Sequence, residues 1–144
     1  MKILYILALG FMVISVCFTQ QIAIGADAQT DYETGLKYYN SQDYAEALKW
    51  FRKSADQGDS MSQYFLASIY YSGQSVTQDY TEAAKWYRKS SDQGNPFAQI
   101  SLGWMYYLGH GVPQNKPEAK NWFRKAAAQG SPLSFIPDEF SRGF

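Results

Sequence analysis

The feature that most limits how this chain can fold is a self-similarity at a spacing of 36 residues. Trp50, Trp86 and Trp122 stand at that interval, inside Trp-Phe-Arg-Lys, Trp-Tyr-Arg-Lys and Trp-Phe-Arg-Lys. The same shift superposes Ala47, Ala83 and Ala119; Gln57, Gln93 and Gln129; and Gly58, Gly94 and Gly130. A period of this length marks a unit that cannot bury its own apolar face and must stack on its neighbours. Three copies fill residues 29 to 130.

Each copy is punctuated as two helices. The second helix opens at Asp43, Asp79 or Asn115, side chains able to accept from an unpaired first-turn amide. Glu46, Glu82 or Glu118 follows three residues later, the arrangement of a capping box. That helix closes at Gly58, Gly94 or Gly130, where a residue without a side chain takes the left-handed conformation of a helix end. Asp59, Asn95 or Ser131 comes next and caps the following helix, with Pro96 and Pro132 at a first helical position where no amide bond is lost. Apolar residues agree: Ala98, Leu102, Met105 and Tyr106 on one helix, and Ala119, Trp122, Phe123 and Ala126 on its partner, recur at three and four residues. Small residues at Ala67 and Gly103 are expected opposite Ala83 and Ala119, with Trp and Tyr rings filling the space between pairs. The expected architecture is all-α, an α-α superhelix (solenoid) of three antiparallel helix pairs over 29–58, 59–94 and 95–130. Residues 131–144 follow as a cap, in which Pro137 interrupts a fourth helix and Phe135 and Phe140 are expected to cover the last apolar face.

These residues resemble the Sel-one-like repeat family, a branch of the tetratricopeptide superfamily. The signature is carried by Leu102-Gly103-x-Met105-Tyr106, then Gly109-x-Gly111-Val112, then Ala119-x-x-Trp122-Phe123-x-Lys125-Ala126-Ala127-x-Gln129-Gly130. The second unit has Ala67 for the glycine and Gly73-Gln74-Ser75-Val76 without the second loop glycine. The first has a shorter connection, twelve residues from Gly35 to Ala47 against sixteen from Ala67 to Ala83, as in an ordinary tetratricopeptide repeat.

Ahead of the repeats, residues 1–28 read as an address. Lys2 is followed by an apolar run from Ile3 to Phe18, then Thr19-Gln20-Gln21, then small residues at Ala23, Gly25, Ala26 and Ala28. That is the layout of a secretory signal peptide, cut after Ala28 or, at a second small-x-small site, after Gly25. The chain is therefore expected to be exported, periplasmic or secreted, with an uncleaved apolar leader helix over residues 3–24 as the membrane-anchored alternative. The sole cysteine, Cys17, lies in the leader, so the mature chain suits an oxidising compartment without needing a disulfide.

Catalytic groups are scarce. His110 is the single histidine and lies in a loop position that Gln74 fills one unit earlier, which reads as an exposed loop residue. No catalytic residue, metal site or cofactor is expected. Thirteen basic side chains balance thirteen acidic ones, and Arg52-Lys53, Arg88-Lys89 and Arg124-Lys125 read as a solvated face, so no nucleic-acid partner is expected.

What remains is aromatic surface, with twelve Tyr and four Trp. The resemblance implies a concave groove lined by first helices, placing Tyr32, Leu36 and Tyr39, Tyr64, Ser68 and Tyr71, and Ile100, Trp104 and Tyr107 inward. Of these, Tyr32, Tyr39, Tyr64, Tyr71, Trp104 and Tyr107 are the expected partner-binding residues, since Tyr and Trp bury large area and keep a polar atom. Tyr39, Tyr71 and Tyr107 recur at one position of each unit and suit packing between units equally well. The functional expectation is a non-catalytic scaffold docking a protein or peptide. The alternative is a glycan- or cell-wall-associated enzyme or inhibitor, the resemblance adding that β-lactam-binding exported relatives are cysteine-rich, unlike this chain. Self-association is left open.

Overall fold

The computed structural model describes residues 25–132 and 135–141. Helix α1 occupies 25–40, followed by α2 (Tyr44–Asp56), α3 (Ser60–Ser72), α4 (Tyr80–Asp92), α5 (Pro96–Leu108), α6 (Lys116–Ala128) and the short α7 (Asp138–Ser141). From α2 to α6 each helix packs on the next, and no strand occurs among the described residues. The fold is thus the all-α stack of three helix pairs that the repeat demands.

The punctuation falls where the sequence places it. Asp43, Asp79 and Asn115 accept from the amides of Glu46, Glu82 and Glu118 at 3.2, 2.9 and 3.0 Å. The reciprocal half of the expected capping box is not formed. The cap amides of Asp79 and Asn115 donate instead to the carbonyls of Tyr70 and Tyr106 on the preceding helix, at 3.0 and 2.8 Å. Freed from that duty, Glu82 and Glu118 each accept from the indole N–H one turn ahead, Trp86 Nε1 and Trp122 Nε1, both at 2.8 Å. The caps therefore tie each helix pair together as well as starting its second helix.

The connections between paired helices show why one loop can lack its glycine. Ser75 adopts a φ of 62°, close to the 68° of Gly111 at the matching place, so the two loops share a conformation. A Cβ at Gly111 would stand 2.1 Å from the Tyr80 carbonyl oxygen. The glycine is thus required where the third unit's loop presses on the start of α4.

Within the core, the glycines of the first helices are pressed against an aromatic ring of the second. A Cβ at Gly35 would lie 2.7 Å from the Phe51 ring, and one at Gly103 2.6 Å from the Phe123 ring. These glycines make room for a fully buried phenylalanine of the partner helix. At the far end, Ile136 and Phe140 are buried on Ala119 and Phe123, whereas Phe135 is 54% exposed. Of the two rings expected to cover this face, Phe140 does so and Phe135 does not, and Ile136 packs there instead.

At the near end, residues 25–28 belong to α1, and Ala28 is buried. The rest of the expected leader, residues 1–24, lies outside the described residues. No described helix is long and apolar enough to cross a membrane.

Candidate binding cleft

Phe51, Tyr87 and Phe123 occupy one position of the repeat, on α2, α4 and α6. What covers each ring differs. Phe65 of α3 stacks on Phe51 with centroids 5.0 Å apart and planes 9° apart. Counting from Ala67 and Gly103, the residue of α5 that matches Phe65 is Ser101. A hydroxymethyl group cannot fill the place of a phenyl ring, and over Tyr87 a cleft of about 200 Å³ opens, lined by Tyr71, Tyr87, Ser101 and Trp104.

The lining of the cleft carries hydroxyl groups on Tyr71, Tyr87 and Ser101. The Tyr87 hydroxyl lies within hydrogen-bonding reach of Ser101 and Ser68, and burial raises its pKa far above the ordinary phenol range. It stays a neutral donor and acceptor at any physiological pH. Tyr64 continues the wall, 5.8 Å from Tyr87 and 6.0 Å from Phe97, whose ring is 55% exposed beside it. The surface is aromatic, uncharged and open between α3 and α5.

The six expected binding residues separate into two groups. Tyr64, Tyr71 and Trp104 stand at the cleft. Tyr32 and Tyr39 pack on Phe51 and Phe65 at 5.2 to 6.2 Å, and Tyr107 packs edge-on to Trp104 and Phe140. These three are half-buried in those contacts and lie outside the lining of the cleft. Trp104 is shared, since its indole N–H donates to the Phe135 carbonyl of the tail at 2.9 Å. Tyr87, Ser101 and Phe97 were not picked from the sequence. Ser101 could have been, as a small residue at a position that holds Phe one unit earlier.

His110 is not the free loop residue its position suggests. Its ring stacks on Tyr80 at 4.5 Å and 15°, and Nδ1 is 3.1 Å from the Tyr71 hydroxyl. It ties the third unit's loop to the second unit and so fixes the Tyr71 wall of the cleft. Of the basic pairs, Arg52 and Arg88 are held in packing, while Lys53, Lys89, Arg124 and Lys125 are exposed. Arg52 lies between the rings of Tyr70 and Trp86, 5.6 and 5.2 Å from their centroids, and Arg88 between Tyr106 and Trp122 at 5.4 and 5.0 Å. Each also donates to the tyrosine hydroxyl. Guanidinium groups held between aromatic faces join one unit to the next rather than lining a groove for phosphates. No three His, Cys, Asp or Glu side chains are grouped as a metal site among the described residues.

The repeat, its caps and its packing agree with comparison to known proteins. The model of the Sel1 repeat matches three times, over residues 32–59, 60–95 and 96–131. The chain belongs to the Sel1 repeat family. Among solved structures it is similar to c5321, a protective antigen of uropathogenic Escherichia coli strains with an SLR fold (37% identity, TM-score 0.71), covering 72% of this chain and 23% of that one. A Sel1 repeat protein from Oxalobacter formigenes is 31% identical over 78% of this chain and 92% of its own, with a TM-score of 0.67. The cysteine-rich protein B of Helicobacter pylori shares the fold at 23% identity and a TM-score of 0.63, covering 81% of this chain and 90% of that one. A search of curated proteins returned no match. Sel1 arrays are repeat scaffolds, generally non-catalytic, that commonly mediate protein–protein interaction.

Proposed function

We propose that this chain is an exported, non-catalytic scaffold whose cleft between α3 and α5 receives a side chain of a protein partner. The observation that carries this reading is the replacement of the covering phenylalanine by Ser101, which leaves Tyr87 at the base of an aromatic opening of about 200 Å³. A volume of that size fits one large apolar or aromatic side chain, and Tyr and Trp walls bury it with little loss of their own freedom. The Tyr87 and Ser101 hydroxyls give the incoming group one place to hydrogen-bond. Export is supported by the Lys2, apolar run and small-residue sequence of residues 1–28.

The test is photo-crosslinking in cells from p-benzoylphenylalanine at Phe97, beside a control probe at Lys85 on the exposed face of α4. The expected result is a protein captured from position 97 and not from position 85, with capture lost in Ser101→Phe. Equal capture at both positions, or capture that survives Ser101→Phe, overturns the cleft as the docking site.

A further inference from the structure

We propose that the leader is removed by hydrolysis of the peptide bond between Gly25 and Ala26, so that Asp27 and Ala28 remain as the opening of the first repeat. This rests on the export reading above. The sequence offers two small-x-small sites, Ala23-Ile24-Gly25 and Ala26-Asp27-Ala28, and by sequence pattern neither excludes the other. The fold distinguishes them.

Ser54 is fully buried, and its hydroxyl donates to the carbonyl of Ala28 at 2.7 Å. One unit later the equivalent Ser90, also fully buried, donates to the carbonyl of Ser60 at 2.6 Å. Ser60 is the first residue of α3, immediately after its cap Asp59. A second set of bonds has the same register. Gln57 donates to Asp31 as Gln93 donates to Gln63 and Gln129 to Gln99, each at 2.8 Å. Spacing agrees as well: Ala28 precedes Gly35 by seven residues, as Ser60 precedes Ala67 and Pro96 precedes Gly103. Ala28 therefore matches Ser60 and Pro96, the first residues of α3 and α5, and Asp27 matches Asp59 and Asn95, while α1 itself starts at residue 25, earlier than its counterparts.

A cut after Ala28 would take away an integral residue of the fold. The Ser54 hydroxyl would be left buried without its acceptor, an arrangement that carries the full desolvation penalty of the group. Asp31, 3% exposed and bonded to both Lys53 and Gln57, would lie two residues from a fraying terminus. A cut after Gly25 keeps all of these, together with the Ala26 carbonyl that accepts from Thr30 Oγ1 at 3.0 Å. Gly25 itself is exposed, and a Cβ there would meet nothing within 4 Å. Hydrolysis consumes one water, breaks the Gly25–Ala26 C–N bond, and leaves a carboxylate on Gly25 and an α-amino group on Ala26. The enzyme required is a leader peptidase of the export machinery.

The test is the intact mass of the full chain after production in a bacterium with a general secretory pathway, measured on the extracytoplasmic and cytoplasmic fractions. The expected exported species begins at Ala26. In Gly25→Leu, a substitution the fold has room for, that species disappears, because a bulky residue then precedes the scissile bond. Exported protein beginning at Gln29, with Gly25→Leu processed as wild type, overturns the proposal while leaving export intact. An exported chain still beginning at Met1 overturns cleavage and makes the leader an anchor. Wild-type chain beginning at Met1 and confined to the cytoplasm removes the export reading itself, and the proposal with it.

Discussion

Phe51 in the first unit and Phe123 in the third are the same residue of the repeat, both fully buried and both pressed against a glycine of the partner helix. Their outer faces are covered differently. Over Phe51 lies a complete helix, α3, whose Phe65 stacks flat upon it. Over Phe123 lies Phe140 of a four-residue helix, 5.8 Å away and tilted by 37°, with Ile136 beside it. Where the next repeat's first helix would stack, residues 135–141 pack. The burial is equal, but the parts that enforce it are not. A repeat holds its covering ring through a helix anchored along its length, whereas the tail is fastened by Ile136 and Phe140, the Trp104 bond to Phe135 and an exposed Lys116–Glu139 ion pair at 3.4 Å, among other contacts. Equal burial therefore does not imply equal local stability.

Truncation of the two phenylalanines gives the largest expected effect. Phe51→Ala and Phe123→Ala should each cost about 3 to 5 kcal/mol, with Phe51→Ala at the upper end. The cavity left by Phe51 sits between α1 and α3, which cannot close upon it, whereas the tail can sink into the gap left by Phe123. Urea unfolding of the two variants checks this, and a larger loss for Phe123→Ala would break the comparison. Removing the tail's own ring is the next step down. Phe140→Ala should lower stability by about 2 kcal/mol and speed amide exchange in α5 and α6 while leaving α2 and α3 protected. Uniform acceleration across all helices would show that the stack opens as one body.

Most of the architecture was legible in the chain because a repeat shows each signal three times. The cap residues Asp43, Asp79 and Asn115 and the closing glycines Gly58, Gly94 and Gly130 stand at fixed offsets, and local backbone chemistry alone dictates what they do. Less legible was everything that depends on a neighbour from another unit. Glu82 carries the pattern of a reciprocal cap, yet the Tyr70 carbonyl takes the cap amide and the carboxylate goes to Trp86. Arg52 and Arg88 look like a solvated face until the next unit brings Trp86 and Trp122 beneath them. The cleft was hidden for a related reason. Attention to large aromatic residues finds Tyr64, Tyr71 and Trp104, but the opening is made by a small one, and only the register between units reveals that Ser101 stands where Phe65 does.

Glycine at the ring contact sharpens the comparison between the end units and the middle one. Gly35→Ala and Gly103→Ala add a Cβ at 2.7 and 2.6 Å from a buried ring, which neither Phe51 nor Phe123 can vacate without strain. Overpacking should cost about 1 to 3 kcal/mol, set against a helix-propensity gain of about 1 kcal/mol. The net loss expected is about 1 kcal/mol, read as a fall in Tm. At the matching place the middle unit already carries Ala67, fully buried, with Tyr87 rather than Phe on the partner helix. The reverse change, Ala67→Gly, should therefore destabilise as well. If all three substitutions proved neutral, the glycine would not be answering to the ring.

The smallest effect on stability carries the most weight for function. Ser101→Phe restores over Tyr87 the cover that Phe65 provides over Phe51, and the cleft of about 200 Å³ is large enough to receive the ring. Filling it buries apolar area on Tyr71 and Trp104 as well as on the new side chain. The cost is the Ser101 hydroxyl's approach to Tyr87, which keeps Ser68 as its other neighbour. The expected balance is a gain of about 1 kcal/mol, a rise of a few degrees in Tm. A binding cleft predicts that this more stable protein captures no partner from position 97. If Ser101→Phe is instead destabilised, the opening already fits its own walls. If it is stabilised and still binds, the middle junction is a packing fault of the repeat and the partner docks elsewhere on the array. Only a surface kept open at the expense of stability gives both the gain in Tm and the loss of capture, a trade that the closed junction at Phe51 and the capped end at Phe123 do not make.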